Sequence, residues 1–196
     1  ELTEKFINRL KDIDNFWGAY YETFVISAFI KAGFKIDFED ESDPKSSHCE
    51  FVAIDRNSGE KFSVEAKCRE PGKAHRGIRK QIEKGLLKKA EHNRVVFIEM
   101  DVKDTGDNDF KGYLEDVIKQ IRKFEEPHKK IGKKNMPQRI DVPPAYVIVT
   151  NSPYHYELDS TKYRSSFVGE GLKINDFKGD YICTSIREGI ETEKKH

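Results

Sequence analysis

The alternation of apolar and polar residues in the first third of the chain predicts two helices followed by three strands. The predicted elements are helices over 3–13 and 16–32 and strands over 34–38, 49–55 and 61–68. Gly33 is expected to end the second helix, and the run Arg56-Asn57-Ser58-Gly59 has the composition of a hairpin turn between the last two strands.

The rest of the chain predicts helices alternating with buried strands. These elements are a basic helix over 74–91, a strand over 94–100, a helix over 110–124, a strand over 145–150 and a final strand over 181–186. A meander followed by strand–helix–strand crossovers predicts an α/β fold, in which a central mixed β-sheet is flanked by helices. We expect one domain over 1–196, with a core at about 15–150 and a C-terminal extension over 151–196.

Composition narrows the class of protein. A length of 196 residues suits one domain, since domains commonly have about 100–200 residues. No apolar run approaches the ~18 residues that a membrane span needs, so no membrane partner is expected. Cys49, Cys68 and Cys183 form neither a disulfide framework nor a zinc spacing, which favours a cytoplasmic (intracellular) location. Because the first residue is Glu1 rather than Met, we expect a processed chain or a piece of a longer one.

The predicted hairpin brings three charged side chains to one face. With the turn centred between Asn57 and Ser58, Glu50 lies directly across from Glu65, and opposed Cβ atoms are about 4.5–5.5 Å apart. Lys67 points to the same face because it lies two positions after Glu65. The other face is predicted to be the buried one and collects Phe51, Ala53, Phe62, Val64 and Ala66.

Paired carboxylates suggest a divalent-metal site. Two like charges at this separation are tolerated more readily when a cation lies between them. Mg²⁺ commonly binds one or two carboxylates together with waters and substrate phosphate, and it activates water and the phosphoryl group for hydrolysis. Lys67 would orient or deprotonate a water, or stabilise a pentavalent phosphate. The alternative is an ordinary solvated hairpin face, where Glu and Lys are common.

Glu22 is the only charged residue between Asn15 and Ile30. A lone carboxylate in such apolar surroundings costs several kcal/mol unless it is paired or bound to metal. We interpret it as a third acid directed at Glu50 and Glu65. The alternative is a carboxylate that hydrogen-bonds a tyrosine or reaches solvent at the helix edge.

This arrangement resembles the PD-(D/E)xK nuclease superfamily. The shared features are an acid on the first long helix, an acid opening a strand and acid-x-Lys on the next strand. The resemblance covers about residues 15–100, including "CEFVAID" and "FSVEAKCRE". It implies a restriction-endonuclease-like core (α-β-β-β-α-β) and a divalent-metal-dependent endonuclease that uses Mg²⁺ or Mn²⁺. By this resemblance Glu22, Glu50 and Glu65 bind metal directly or through water, and Lys67 assists the attacking water.

The sequence departs from the superfamily pattern in a few places. Glu50 stands where Asp is commoner, and Cys49 rather than Pro precedes it. Gln81 resembles an accessory glutamine of some branches, whereas Gly85 stands where one branch has Tyr. The resemblance favours DNA over RNA as substrate and leaves a homodimer open, although no interface stripe stands out.

Charge is sorted along the chain although the total is balanced, with 35 basic and 35 acidic residues. Residues 36–65 hold nine acids and three bases, residues 67–94 ten bases and three acids, and residues 119–139 eight bases and two acids. Basic clusters bind phosphate backbones. The candidate nucleic-acid-binding residues are Arg69, Lys73, Arg76, Arg79, Lys80, Gln81 and Lys84. The alternative for the 67–94 segment is a solvated helix face.

Two other functional classes stay open. One is a catalytically inactive nuclease-like module that binds nucleic acid or a protein partner. The other is a structural or adaptor domain, which predicts no salt-dependent affinity for nucleic acid.

Overall fold

The computed structural model describes residues 2–38, 48–68, 78–100, 108–131, 137–151, 166–174 and 181–192. Its helices are α1 (Leu2–Lys11), α2 (Phe16–Lys31), α3 (Ile78–Leu86), α4 (Asn108–Arg122) and α5 (Tyr181–Thr192). Its strands are β1 (Phe34–Phe38), β2 (Phe51–Asp55), β3 (Lys61–Lys67), β4 (Asn93–Glu99), β5 (His128–Ile131), β6 (Pro137–Ile140), β7 (Ala145–Asn151) and β8 (Ser166–Leu172).

Six of the strands form one mixed sheet in the order β1-β2-β3-β4-β7-β8. The meander β1–β2–β3 is antiparallel, β3, β4 and β7 are parallel, and β8 pairs antiparallel with β7. The predicted α/β fold with a central mixed sheet flanked by helices is therefore confirmed. In the described part of the chain, no helix is both long and apolar enough to cross a membrane.

Helices pack against both faces of the sheet. On one face α2 packs over β1–β4, and the ring of Phe29 lies 5.2–5.9 Å from the rings of Phe34, Phe51 and Phe97. On the other face α3 and α4 pack over β4 and β7 in a second apolar cluster. The side of the hairpin predicted to be buried, comprising Phe51, Ala53, Phe62, Val64 and Ala66, lies in the α2 core as expected.

The C-terminal region differs from the prediction. Residues 181–186, expected as a strand, begin the helix α5, so that prediction is wrong. Ile182, Ile186 and Ile190 recur every four residues, which is helical spacing that a six-residue window cannot reveal. α5 packs on α2 so closely that a Cβ added at Gly189 would clash with the Ala28 carbonyl oxygen.

Two other segments also differ in extent. The helix predicted over 74–91 spans Ile78–Leu86 among the described residues, and beyond it Lys89 forms an isolated parallel β-bridge with His48. That tertiary pairing, absent from any local pattern, replaces the last predicted turn of helix.

The basic segment after α4, for which no helix or strand was predicted, contains the antiparallel pair β5–β6.

Candidate functional site

The β2–β3 hairpin has the register that the sequence predicted. Phe51 pairs with Val64, and Ala53 pairs with Phe62. The turn closes with Gly59 at φ +74°, a left-handed conformation that glycine adopts without strain, and the Gly59 N–H donates to the Asp55 carbonyl oxygen at 2.9 Å. The turn chemistry therefore fixes which side chains of the two strands share a face.

Glu50 lies just outside the paired part of this hairpin. Its N–H donates to the carbonyl oxygen of Val64 at 2.9 Å, although Val64 is already the partner of Phe51. Two residues of one strand thus face one residue of the other, as in a β-bulge, and the chain bends at Glu50. Glu50 therefore does not lie directly across from Glu65 as predicted. Its Oε1 is nevertheless 3.6 Å from Lys67 Nζ.

Glu65 is a fully buried carboxylate in the middle of the sheet, with 0% of its surface exposed. Its Oε1 forms an ion pair with Lys67 Nζ, and Lys88 Nζ lies 3.7 Å from the same oxygen. Among the described residues, none gives either carboxylate oxygen a hydrogen bond of good geometry. Burial raises the pKa of Glu65 to about 7, although the charge of Lys67 opposes this shift.

Lys67 lies between the two acids of the hairpin. Its Nζ contacts the carboxylates of both Glu65 and Glu50, and its side chain is 25% exposed. Burial alone would lower the pKa of Lys67, but the two carboxylates outweigh burial and raise it. The two carboxylates therefore favour the protonated form of Lys67, which can donate hydrogen bonds and stabilise negative charge.

Glu22 is buried in α2 and is paired, but with neither of the partners considered from the sequence. Arg9 of α1 donates from Nη1 to Glu22 Oε2 at 2.9 Å and from Nη2 to Oε1 at 2.5 Å. Burial raises the pKa of Glu22 to about 7, the bonds from Arg9 oppose the shift, and the negative charge of Glu50 adds to it. Lys67 also acts on Glu22, so the helix acid and the hairpin acids belong to one electrostatic cluster.

The cluster can be compared with what a hard divalent ion requires. Within the described ranges, no three His, Cys, Asp or Glu side chains lie close enough together to hold a metal ion. Glu50 and Glu65 nevertheless both lie within reach of one cation, the ammonium of Lys67. Glu65 Oε2 is also buried without a hydrogen-bond partner among the described residues. Two carboxylates suit Mg²⁺ or Mn²⁺ when waters and a substrate phosphate complete the coordination shell.

The helix α3 lies directly over Glu65. A Cβ added at Gly85 would be 2.7 Å from Val96 Cγ1 and 3.8 Å from Glu65 Cγ, so no larger side chain fits there without movement. Gln81 lies one turn earlier on the same side of α3, and its Oε1 is buried without a partner among the described residues. Glycine at position 85 therefore permits the close approach of α3 to β3 and β4.

Apart from Gln81, the candidate nucleic-acid-binding residues divide into those on α3 and those outside the described part of the chain. Lys80 and Lys84 are exposed on α3; Arg79 is exposed as well, and its guanidinium lies over the ring of Phe124 at 5.6 Å from its centroid. Arg69, Lys73 and Arg76 lie outside the described residues.

Sequence reasoning missed three cations of the cluster: Arg9, Lys88 and Arg94. Arg94 is buried, and its Nη2 donates to the Lys88 carbonyl oxygen at 2.6 Å. Burial lowers the pKa of Arg94, while Cys49 and Glu65 oppose that shift. For Arg94 the available signal was an arginine opening a largely apolar run, RVVFIEM, which calls for a specific partner.

Compared with family models, with curated proteins and with solved structures, the chain shows no significant similarity to any of them.

Proposed function

We propose that this protein is a divalent-metal-dependent nuclease that hydrolyses phosphodiester bonds of nucleic acid, with DNA as the favoured substrate. One observation carries the proposal: the Lys67 ammonium contacts two carboxylates, Glu65 and Glu50, one fully buried and the other at a bend of the hairpin. Such a group of two acids and a lysine contributes little to the stability of the fold. Burying a carboxylate carries a desolvation cost in free energy that an apolar side chain at the same position would avoid.

The order of elements supports the finer assignment. The elements α2, β1, β2, β3, α3 and β4 follow one another in the order α-β-β-β-α-β. This is the order of the restriction-endonuclease-like core, and the acids lie on the corresponding elements. Glu22 is on the helix, Glu50 directly precedes the second strand, and Glu65 and Lys67 are on the third.

Glu50 and Glu65 would hold Mg²⁺ or Mn²⁺, with Glu22 contributing directly or through water. When bound, such an ion supplies Lewis-acid polarisation of the phosphoryl oxygen and a lower pKa for a coordinated water. Lys67, protonated and one quarter exposed, would donate to the phosphate or to the attacking water and stabilise the charge that develops there. The exposed Lys80 and Lys84 of α3 would contact phosphates flanking the scissile one.

The proposal is tested by incubating the purified protein with supercoiled plasmid DNA and Mn²⁺ or Mg²⁺. The wild type should nick the plasmid, and Lys67→Met or Glu65→Gln should reduce the rate about 100-fold or more while DNA binding persists. Lys61→Met is the matched control, because Lys61 is an exposed lysine on the same strand. A wild type that cleaves neither DNA nor RNA with any divalent metal would contradict the proposal.

A catalytically inactive nuclease-like module is the second candidate. It is favoured by the pairing of the buried acids with cations of the chain itself, Glu65 with Lys67 and Glu22 with Arg9. Such a module should bind DNA with a strong salt dependence. It should bind no Mn²⁺ at Glu65, so the wild type and Glu65→Gln should give the same heat when titrated with Mn²⁺. A calorimetric Mn²⁺ titration of wild type and Glu65→Gln therefore separates the two candidates.

A further inference from the structure

The segment that carries Glu50 is held by the end of α3 as well as by β3. The hairpin contributes the bond from the Glu50 N–H to Val64. On the other side, His48 forms a parallel bridge with Lys89, and Cys49 Sγ donates to the Lys89 carbonyl oxygen at 3.4 Å. The position of Glu50 thus depends on residues that directly follow α3.

Lys88 connects this segment to the buried acid. Its Nζ donates to the His48 carbonyl oxygen at 3.0 Å and lies 3.7 Å from Glu65 Oε1. The backbone of Lys88 is itself fixed, because its carbonyl oxygen accepts a hydrogen bond from Arg94 Nη2 at 2.6 Å. One ammonium therefore links the Glu65 carboxylate with the main chain two residues before Glu50.

We infer that Lys88 is a positioning residue that sets the placement of Glu50 relative to Glu65. The effect of this placement on metal binding rests on the proposed function, whereas the restraint on Glu50 does not. A hydrogen bond to the backbone of the bent segment restrains that segment in a way that charge compensation of Glu65 alone would not. Outer partners that orient metal-ligating side chains commonly change metal affinity about 10–100-fold when removed. Lys88 contacts both the His48 backbone and Glu65, whereas Lys80 and Lys84 are exposed on α3.

The restraint itself is tested without metal, by amide hydrogen exchange of the Lys88→Met variant. Methionine keeps the length and the apolar stem of lysine but cannot donate to His48. We expect the Glu50 N–H to exchange about tenfold faster or more, while amides in the middle of β4 keep wild-type rates, since opening is local. Lys88→Arg should restore most of the protection, because the guanidinium retains several donors.

The controls separate a local restraint from a general loss of stability. Lys35→Met removes an exposed lysine of β1 and should leave the Glu50 exchange rate unchanged. If Lys88→Met folds poorly, Lys88→Leu, which likewise cannot donate to His48 and removes the charge, is used with the same criteria. An unchanged Glu50 rate, or an equal acceleration throughout the sheet, would overturn the inference.

The consequence for metal binding is measured by calorimetric titration with Mn²⁺. In Lys88→Met the dissociation constant should rise about 10–100-fold, and in Lys35→Met it should stay at the wild-type value. Faster Glu50 exchange with an unchanged Mn²⁺ affinity would refute the positioning role. If the wild type binds no Mn²⁺ yet Glu50 exchange responds to Lys88→Met, the link between Lys88 and Glu50 is supported and the proposed nuclease function fails.

Discussion

Arg9 of α1 donates one hydrogen bond to each carboxylate oxygen of Glu22, at 2.9 and 2.5 Å. The single acid of an otherwise uncharged stretch of α2 is therefore compensated by a residue of the preceding helix. Removing the guanidinium with Arg9→Met leaves a buried carboxylate without its donors. We expect the free energy of unfolding to fall by about 1–3 kcal/mol, measured by urea denaturation at neutral pH.

The Arg9 prediction has a thermodynamic cycle as its control. In a Glu22→Gln background no buried charge needs compensation, so Arg9→Met should cost clearly less than it does in the wild type. Lys11→Met, at an exposed position of the same helix, should be close to neutral. Equal costs of Arg9→Met in the two backgrounds would show that the pair contributes nothing specific.

The raised pKa of Glu65 predicts a pH dependence of stability with a definite sign. In the folded protein burial raises this pKa from 4.5 to about 7. Between these values the folded state keeps a proton that the unfolded state has lost, so stability falls as pH rises through this window. The loss amounts to about 1.4 kcal/mol for each unit by which the folded pKa exceeds the unfolded one.

Glu65→Gln removes this titration, so its free energy of unfolding should decline less between pH 5 and pH 8 than that of the wild type. Denaturant titrations across this range, with EDTA present, measure the difference. The exposed Glu91→Gln controls for the loss of one carboxylate elsewhere. Parallel pH profiles for the wild type and Glu65→Gln would mean that the carboxylate is ionised throughout and that Lys67 dominates over burial.

Two glycines in helices predict opposite effects of alanine. At Gly85 of α3 a Cβ would lie 2.7 Å from Val96 Cγ1, whereas at Gly112 of α4 nothing lies within 4 Å. Gly85→Ala should destabilise the fold by about 1–3 kcal/mol, because α3 must move away from the sheet over Glu65. Gly112→Ala should stabilise it by up to about 1 kcal/mol through helix propensity. Thermal unfolding of both variants checks the contrast, and a stabilising Gly85→Ala would contradict the packing of α3.

Local patterns were sufficient to predict the hairpin and its buried face. Side chains alternate strictly along strands, and the turn at Gly59 sets the register, so Phe51 and Val64 could be paired from the sequence alone. The grouping of Glu65 with Lys67 follows from the same alternation. These features depend on residues close together in the chain, where geometry leaves few alternatives.

Features that depend on distant contacts could not be predicted in this way. The segment before Glu50 pairs with residues that follow α3, some forty positions later, through the β-bridge of His48 with Lys89. In the sequence, Arg9 is an ordinary basic residue of an amphipathic helix. Its pairing with Glu22 depends on the packing of α1 on α2, which local patterns do not predict. The α5 helix was mistaken for a strand because a short apolar run fits either period.

Lys80 and Lys84 of α3 predict a measurable salt dependence of nucleic-acid binding. Both are exposed on the helix that covers Glu65, and the proposed function requires flanking phosphates to contact this surface. Each phosphate contact releases about one counterion, so Lys80→Ala/Lys84→Ala should reduce the slope of log affinity against log salt by about 2. Fluorescence anisotropy with a DNA duplex in EDTA, over about 50–200 mM KCl, gives this slope without cleavage.

The matched control removes the same charge from strands of the sheet rather than from α3. Lys35→Ala/Lys61→Ala neutralises two exposed lysines on β1 and β3 and leaves α3 intact. If binding follows net charge alone, both double variants will lower the slope equally. A reduction confined to Lys80→Ala/Lys84→Ala would locate the phosphate contacts on α3. An unchanged slope in that variant would identify the basic face of α3 as a solvated surface and would remove the main electrostatic support for a nucleic-acid substrate.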